Sequence, residues 1–261
     1  MQKVLITGGT GMVGKRLTKL LIRQGYSVSI LSRKPLIDDQ IKYFKWNINK
    51  ATIDIEAFKG IDTIIHLAGA NIGKKKWTDK RKKEIYNSRI DSTKLLFDYA
   101  IKHCKTLKTF ISASGIGFYG TKKTDIIFDE SNKAGNDFLS YVCKNWEQQA
   151  MLFKHNNIRT VILRTGVVLT DEGGIIAKMM LPVKLGLNAP IGNGKQFIPW
   201  IHIEDLCRLY IFSIENEING IYNAVASEHS TNIEFSKALS KTMEKPFFMP
   251  KTPEFIIKLI L

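Results

Sequence analysis

The chain has 261 residues and a mass of 29.6 kDa, which suits one large α/β domain or a main domain with a small addition. Hydrophobic residues make up 44% of it and charged residues 24%, a composition that excludes disorder, collagen-like repeats and coiled coil. Its 39 Lys and Arg against 24 Asp and Glu give a formal charge of +15, which suits a nucleic acid, an anionic lipid or a phosphorylated ligand without choosing among them.

The cysteine and histidine content points away from disulfides and metal ions. The 3 cysteines form no CxxC pair, and the 5 histidines are scattered without an HExxH pattern. The N-terminus shows no basic segment followed by a long apolar stretch, and no apolar run reaches the ~18 residues that a membrane span needs. We therefore expect a cytoplasmic protein that binds no metal and no membrane.

Strands and helices alternate along the first two thirds of the chain. Residues 3–7 form a β-rich segment, residues 12–24 carry apolar side chains at helical spacing, and residues 26–31 predict a second strand parallel to the first. The alternation continues, with strands predicted at 41–46, 62–68, 107–113 and 158–164 and helices near 84–103 and 136–155. This pattern predicts an α/β protein with a doubly wound parallel sheet, the Rossmann fold.

The sequence changes character after Arg164, where Gly and Pro cluster between residues 173 and 194. A helix is predicted over 203–215 and a strand over 220–225. We predict a nucleotide-binding domain at residues 1–165 and a smaller, partly interleaved C-terminal substrate lobe at residues 166–261. The apolar run at residues 255–261 stops without a capping residue, so a truncated C-terminus is expected.

A glycine-rich turn follows the first predicted strand. Gly8, Gly11 and Gly14 have the spacing in which one glycine allows the tight turn, one admits a pyrophosphate and one lets helix and strand pack closely. The strand-turn-helix context makes this motif a strong indication of dinucleotide binding. The expected phosphate-binding residues are Gly8, Thr10, Gly11, Met12, Val13 and Gly14.

The end of the second strand indicates which dinucleotide is bound. An acidic residue here would accept hydrogen bonds from a ribose 2′-OH, whereas an arginine accommodates a 2′-phosphate. This chain offers Ser32, Arg33 and Lys34, and its first carboxylate is Asp38, beyond Pro35. The sequence therefore predicts NADP(H) rather than NAD(H).

Conspicuous motifs are spread over nearly the whole chain: Thr7–Gly14, His66–Ala70, Ser88-Arg89, Ser112–Gly120, Cys143-x-x-Trp146-Glu147, Arg164–Leu169 and Gly194–His202. Together these motifs resemble the extended short-chain dehydrogenase/reductases, and more narrowly an atypical NAD(P)-dependent epimerase-like family related to the nucleotide-sugar epimerases. The resemblance implies that Leu67, Ala68 and Gly69 line the cofactor. It also implies that Ser114 stands where the family has its catalytic serine.

The Tyr-x-x-x-Lys dyad of the parent family is missing from its expected place. When the helix is aligned on Glu147, the tyrosine position falls on Leu139 and the lysine position on Cys143. Tyr119 and Lys123 match the spacing, but a loop with a glycine inside does not put them on one helical face.

Two functions remain open at this stage. The first is an NADP(H)-binding, epimerase-like oxidoreductase that acts by hydride transfer on a carbonyl or hydroxyl group of a small substrate, with a nucleotide sugar as one candidate. Its expected catalytic residues are Ser114 and Tyr119. Its proton donor is Tyr119, Tyr141 or His202. The second is a catalytically impaired cofactor-binding sensor or scaffold. We favour the enzyme.

The remaining conspicuous residues receive less specific interpretations. Gln196, Trp200 and His202 are expected to form a wall of the substrate pocket, whereas His66 and Cys143 are expected to be packing residues. The basic stretch at residues 74–83 lacks an accompanying nucleic-acid motif and is interpreted as solvated surface. We expect no nucleic-acid partner, and the resemblance makes a homodimer the expected assembly.

Overall fold

The computed structural model describes residues 2–121 and 126–247. The strands are β1 (Lys3–Thr7), β2 (Ser27–Ser32), β3 (Lys42–Asn47), β4 (Thr52–Ile53), β5 (Thr63–His66), β6 (Thr109–Gly115), β7 (Arg159–Thr165), β8 (Val167–Leu169), β9 (Phe197–Ile198), β10 (Trp200–His202), β11 (Gly220–Ala224) and β12 (Ser230–Thr231). The α-helices are α1 (Met12–Arg23), α2 (Asp79–His103), α3 (Phe138–His155), α4 (Gly174–Lys184), α5 (Ile203–Glu215) and α6 (Asn232–Thr242).

The main sheet has eight strands in the order β11-β7-β6-β5-β1-β2-β3-β4. Its pairings are parallel except for the edge strand β4, which pairs antiparallel with β3. The chain runs outward from β1 on one side and resumes at β5 on the other, so the strand order reverses between these two strands. The predicted doubly wound parallel sheet is confirmed.

Helices cover both faces of this sheet, and each face has its own apolar core. On one face, Leu17 and Leu21 of α1 and Tyr210 of α5 are buried against the sheet. On the other face, Leu96 of α2 and Phe153 of α3 are buried in the same way. Three layers result, with the carboxyl ends of the parallel strands free at one edge for a ligand.

The helix α2 begins earlier than its apolar spacing predicted. The spacing indicated a start near residue 84, whereas the helix starts at Asp79. The Thr78 side chain accepts a hydrogen bond from the Arg81 backbone and provides the N-cap. The first turn is rich in lysine, so apolar periodicity cannot reveal it.

The strand β5 ends at His66, two residues before the predicted end of this segment. Leu67 and Ala68 therefore belong to the loop that follows the strand.

The segment after residue 165 returns to the main sheet. The strand β11 pairs with β7, with Ile221 opposite Ile162, and α5 packs on the same face as α1. The elements that extend beyond the sheet are α4, α6 and two short strand pairs, β8 with β10 and β9 with β12. The two parts are thus interleaved in sequence, and the boundary at residue 165 stays a prediction. Within the described ranges, no helix is both long and apolar enough to cross a bilayer.

Candidate functional site

The carboxyl ends of five neighbouring strands form one edge of the sheet. On β1 and β5, Thr7 lies opposite His66. Further along, Ser114 of β6 lies opposite Arg164 of β7, which in turn lies opposite Asn223 of β11. Residues in register on parallel strands point to the same face, so these polar side chains converge. The strand order reverses at the β1–β5 end of this row, where open α/β sheets bind their ligands.

The turn between β1 and α1 accepts only glycine at two positions. Gly8 has a φ of +74°, and a Cβ there would lie 2.8 Å from the carbonyl carbon of Leu67. A Cβ on Gly14 would lie 2.3 Å from the Gly8 oxygen and 2.6 Å from the Gly9 Cα. A Cβ on Gly11 would be less crowded, because its nearest neighbour, the Gly8 carbonyl oxygen, would lie 3.2 Å away. The glycines bring the α1 N-terminus close to both the β1 and the β5 loops.

The N-terminus of α1 is open to an anion. Gly11 is the N-cap, no side chain caps the helix, and the first turn contains no acidic residue. Thr10 and Gly11 are exposed, and Met12 and Val13 are partly exposed. Uncapped backbone N–H groups and the positive end of the helix dipole favour a phosphate here.

The turn after β2 presents two cations and no carboxylate. The buried Ser32 hydroxyl donates to the Lys34 carbonyl at 2.9 Å and accepts from the Lys34 N–H at 3.2 Å, which fixes the turn. Arg33 and Lys34 are exposed. Asp38, the first carboxylate after β2, is engaged in local hydrogen bonds, because its Oδ1 accepts from the backbone N–H groups of Gln40 and Ile41.

The loop after β5 is held by side chains of α2. The Ala70 N–H donates to the Ser88 hydroxyl at 2.9 Å, and Arg89 donates to the Ala70 carbonyl at 3.1 Å. A Cβ on Gly69 would lie 2.9 Å from the Arg89 Cζ, so the guanidinium occupies the space that a side chain there would need. Ser88 and Arg89 thus position Leu67 to Gly69, a function that the sequence alone did not reveal.

His66 joins three elements and is not a catalytic group. It is fully buried, its Nδ1 lies 2.7 Å from the Thr7 hydroxyl, and its Nε2 lies 3.0 Å from the Thr93 hydroxyl. Burial, with a smaller effect from the nearby Arg89 charge, lowers the pKa of His66 to about 3. The ring is neutral at physiological pH, as expected for a core imidazole.

A buried ion pair lies at the centre of the polar row. Glu147 of α3 accepts from the Arg164 Nε and Nη2, both at 2.9 Å, and from the Ser114 hydroxyl at 2.7 Å. All three residues are less than 7% exposed. Burial alone would lower the pKa of Arg164, but the Glu147 carboxylate raises it above its ordinary value. The Ser114 hydroxyl is thus engaged as a hydrogen-bond donor to the Glu147 carboxylate.

The network continues from this ion pair to Tyr119. The Tyr119 hydroxyl accepts from the Arg164 Nη1 at 2.9 Å and donates to the Asn223 Oδ1 at 2.7 Å. Its ring stacks on Phe128 with centroids 5.1 Å apart. The backbone N–H of Asn223 donates in turn to the Glu130 carboxylate at 2.6 Å. The orientation of the Tyr119 hydroxyl is thus fixed on both sides.

Tyr119 and Asn223 open onto a cleft of about 710 Å³. Its described lining is mostly apolar and consists of Ile116, Tyr119, Gly120, Thr121, Ile126, Ile127, Phe128, Asn193, Lys195, Gln196, Phe197, Ile198, Pro199, Asn223, Val225, Ala226, Glu228, His229 and Ser230. The volume is that of a small-molecule pocket.

The structure brings only some of the predicted substrate residues together. Gln196 lies in the cleft wall with Tyr119, whereas Trp200 and His202 are not among its lining residues. Trp200 lies in β10, and the His202 ring caps α5 by accepting from the Glu204 N–H at 3.3 Å. Roles for Trp200 and His202 in substrate binding stay predictions.

Leu139 and Cys143, the residues that the alignment on Glu147 puts at the dyad positions, lie on α3 near the end of β6. Leu139 lies beside Gly117, and the buried Cys143 lies beside Gly115. Burial raises the pKa of Cys143 to about 11, so the thiol stays protonated. Tyr141, the alternative proton donor, stacks on Tyr86 and is 56% exposed. Lys123 lies outside the described residues.

Three residues of the network were missed as functional residues: Glu147, Arg164 and Asn223. Glu147 and Arg164 stood in the family-like motifs, but their pairing depends on how α3 packs on β7. The signal for Asn223 was its position in a predicted strand, and only the pairing of β11 with β7 brings it next to Arg164.

The comparison with known proteins identifies the family. The NAD dependent epimerase/dehydratase family model matches residues 4–224, and the chain belongs to this family. The epimerase family protein SDR39U1 of Mus musculus is 35% identical over 99% of this chain and 86% of its own length. The epimerase family protein YfhF of Bacillus subtilis (strain 168) is 34% identical over 97% and 84%. The expected family resemblance is confirmed.

Solved structures agree with the fold. The crystal structure of human epimerase family protein SDR39U1 (isoform2) with NADPH has a TM-score of 0.88 at 32% identity, over 99% of this chain and 85% of that chain. A UDP-glucuronic acid 4-epimerase from Bacillus cereus in complex with NAD has a TM-score of 0.80 at 20% identity, over 96% and 87%. At this lower identity the likeness shows the fold alone.

Proposed function

We propose that this protein is an NADP(H)-dependent oxidoreductase that transfers hydride to or from a carbonyl or hydroxyl group of a small substrate. The observation that carries the proposal is the glycine cradle at the open N-terminus of α1, next to a cationic turn after β2. Family membership and the NADPH present in the human SDR39U1 crystal support the same reading. Cys104, Cys143 and Cys207 are free buried thiols, which suits the expected cytoplasm.

The residues of the cradle fit this cofactor. Added Cβ atoms at Gly8 and Gly14 would collide with neighbouring backbone, so both glycines are required for the turn that brings Gly11 and the N-terminus of α1 up to a pyrophosphate. The exposed Arg33 would pair with a 2′-phosphate, and Lys34 would add a second charge. Leu67, Ala68 and Gly69 would line the cofactor beside this cradle.

Bound NADP(H) supplies or accepts the hydride. Tyr119 holds a proton at its hydroxyl in the cleft wall and passes it to the substrate oxygen, exchanging the bond to Asn223 for one to the substrate. The Arg164 guanidinium stays on the hydroxyl oxygen and compensates the charge that develops there. Arg164 and Asn223 are positioning residues, and Glu147 fixes Arg164. Ser114 acts through Glu147, because its proton is engaged there.

A second function has one specific observation in its favour. The dyad positions hold Leu139 and Cys143, and neither side chain can replace a tyrosine or a lysine in proton transfer. A protein that binds NADP(H) as a sensor or scaffold would have the same cradle without the chemistry. Such a sensor or scaffold differs from the proposed enzyme because it would oxidise no NADPH with any substrate.

The cofactor assignment is tested with Arg33→Ala. We expect NADPH affinity to fall by about tenfold or more, since a charge-assisted phosphate contact is lost, while NADH affinity stays the same. Arg208→Ala is the matched control, because Arg208 is exposed on α5 and pairs with Asp205. Fluorescence titration gives both affinities. An undiminished affinity of the Arg33 variant for NADPH would overturn the assignment.

The proton donor is tested with Tyr119→Phe beside Ser114→Ala in an NADPH-oxidation screen over carbonyl substrates. For Tyr119→Phe we expect kcat to fall by about a hundredfold, with NADPH affinity retained. Tyr141→Phe is the matched control and should keep its activity, because Tyr141 lies on Tyr86 away from the cleft. Activity unaffected by the Tyr119 and Ser114 changes would remove both from the catalytic site. Absence of turnover with every carbonyl would favour the sensor.

A further inference from the structure

The connection from β2 to β3 contains no helix, so the sheet face beside α1 is only partly covered. Residues 33–41 form neither helix nor strand, and Ile41 and Tyr43 are partly buried against the same core as α1. A groove of about 340 Å³ lies between these two residues and α1, within the size range of small-molecule sites. Its described lining shares no residue with that of the cleft beside Tyr119.

One wall of this groove carries three cations on a single face of α1. This cation row consists of Lys15, Lys19 and Arg23, which are exposed and spaced four residues apart, over about 12 Å of helix. Within the described ranges none of the three pairs with a carboxylate, and Asp38 on the opposite wall accepts from backbone N–H groups of its own turn. Like charges four residues apart repel each other and destabilise a helix, so the cation row favours a bound anion.

The groove also contains a buried hydroxyl group without a partner. Thr18 lies three residues after Lys15 on the same face of α1, lines the groove and is 3% exposed. Its Oγ1 has no hydrogen-bond partner in the part of the chain that the structure describes. A buried hydroxyl that is left unpaired destabilises the protein, and a ligand oxygen in the groove would accept its hydrogen bond. The Thr18 hydroxyl is thus a second observation that points to a ligand.

The floor of the groove is apolar. Ile30 of β2 is 1% exposed, and Ile22 of α1 and Ile41 are partly buried beside it. The Tyr43 ring adds an aromatic surface. Burial, with a smaller effect from the Asp38 charge, raises the pKa of Tyr43, so its hydroxyl stays neutral. An apolar or aromatic group of a ligand would be stabilised here by the surface that it removes from water.

From the cation row, the unpaired hydroxyl and the apolar floor, we propose that this groove binds a phosphate monoester of an apolar or aromatic alcohol. Such a phosphate carries close to two negative charges at neutral pH and several acceptor oxygens, so one group can meet neighbouring cations of the row and the Thr18 hydroxyl together. The groove runs along the side of α1, whereas the glycine cradle lies at its N-terminus. The inference therefore depends neither on the proposed cofactor nor on hydride transfer.

The ligand class is tested by calorimetric titration of the full chain with 1-naphthyl phosphate, 1-naphthol and inorganic phosphate. Each titration is run with and without saturating NADPH, because the cradle also attracts phosphate. We expect 1-naphthyl phosphate to bind saturably under both conditions, at least about tenfold more tightly than either other probe. No saturable binding of 1-naphthyl phosphate, equal affinity for one of the other probes, or loss of binding when NADPH is bound overturns the inference.

A charge variant locates the bound phosphate. Lys19→Gln removes the central cation of the row and should weaken 1-naphthyl phosphate by about fivefold while leaving 1-naphthol unchanged. Lys241→Gln is the matched control, because Lys241 is an exposed lysine of α6 outside the groove. Equal effects of the two variants on 1-naphthyl phosphate contradict the inference.

A hydroxyl variant separates binding from stability. Thr18→Val should weaken 1-naphthyl phosphate by about fivefold, yet keep or raise the urea midpoint of unfolding, since the hydroxyl that it removes is unpaired in the free protein. Ser236→Ala is the control, because the Ser236 hydroxyl of α6 is also buried without a described partner and lies outside the groove. It should leave the affinity unchanged. Undiminished affinity of the Thr18 variant contradicts the inference.

Discussion

At the scale of single residues, the glycine turn and the polar network differ in how far apart in the sequence their contacting residues lie. The requirement for Gly14 arises within one turn, where its Cβ would lie 2.3 Å from the Gly8 oxygen. Gly8 has a φ of +74°, and its Cβ would also strike the Leu67 backbone after the neighbouring strand β5. Arg164 and Tyr119 are 45 positions apart, and Tyr119 and Asn223 are 104 apart. Pairings over such distances depend on strand register, which local sequence does not specify.

The glycine cradle yields a graded prediction. Gly14→Ala should weaken NADPH binding by more than about tenfold and lower the free energy of unfolding by about 1–3 kcal/mol, since its Cβ would lie 2.3 Å from the Gly8 oxygen. Gly11→Ala should lower the free energy of unfolding much less, because the nearest contact of its Cβ is 3.2 Å, although this Cβ would face the pyrophosphate and weaken NADPH binding as well. Urea unfolding and NADPH titration of both variants provide the test. Losses of unfolding free energy of equal size would contradict the steric explanation.

At the scale of elements, the strands and helices were largely predictable because their apolar periodicity is regular. The exceptions have local causes, such as the lysine-rich first turn of α2 and the short β5. The contacts between elements were harder to predict from the sequence than the elements themselves. His66 of β5, for example, contacts Thr7 of β1 and Thr93 of α2. Its neighbours become apparent only when the three elements are packed.

The burial of His66 predicts a pH dependence of stability. Its pKa is about 3 in the folded protein against an ordinary value of 6.5, so the unfolded chain takes up the proton first as pH falls. The stability that the neutral ring provides is therefore present above pH 6.5 and is lost as pH falls towards 3. Between pH 7 and pH 5 the free energy of unfolding should drop by about 2 kcal/mol from this group.

Urea unfolding at the two pH values tests this expectation with His66→Gln. The variant should lose about 2 kcal/mol less than the parent protein between pH 7 and pH 5, although it is less stable at pH 7. His155→Gln is the control, because it removes a histidine that ends α3 at the surface instead of one in the core. If the free energy of unfolding had the same pH dependence in the parent protein and in the His66 variant, the stabilising role of the neutral ring would be contradicted.

At the scale of the whole molecule, the glycine cradle and the cleft lie along one edge of the sheet. The cradle, which we propose as the cofactor site, lies at the ends of β1 and β5, and the cleft lies beyond the ends of β6, β7 and β11. Composition could not predict this arrangement, because the +15 charge is a property of the whole chain, whereas the described lining of the cleft is mostly apolar and includes Lys195 and Glu228. The homodimer and the absence of a nucleic-acid partner stay predictions.

The most direct measurement is a calorimetric titration of the purified chain with NADPH and, separately, with NADH, accompanied by thermal unfolding. We predict saturable binding of NADPH at one site per chain, with affinity at least about tenfold above that for NADH. At about 100 times its dissociation constant, NADPH should stabilise the fold by about 2.7 kcal/mol. Folded protein that takes up neither nucleotide, or that binds NADH as tightly as NADPH, would contradict the account.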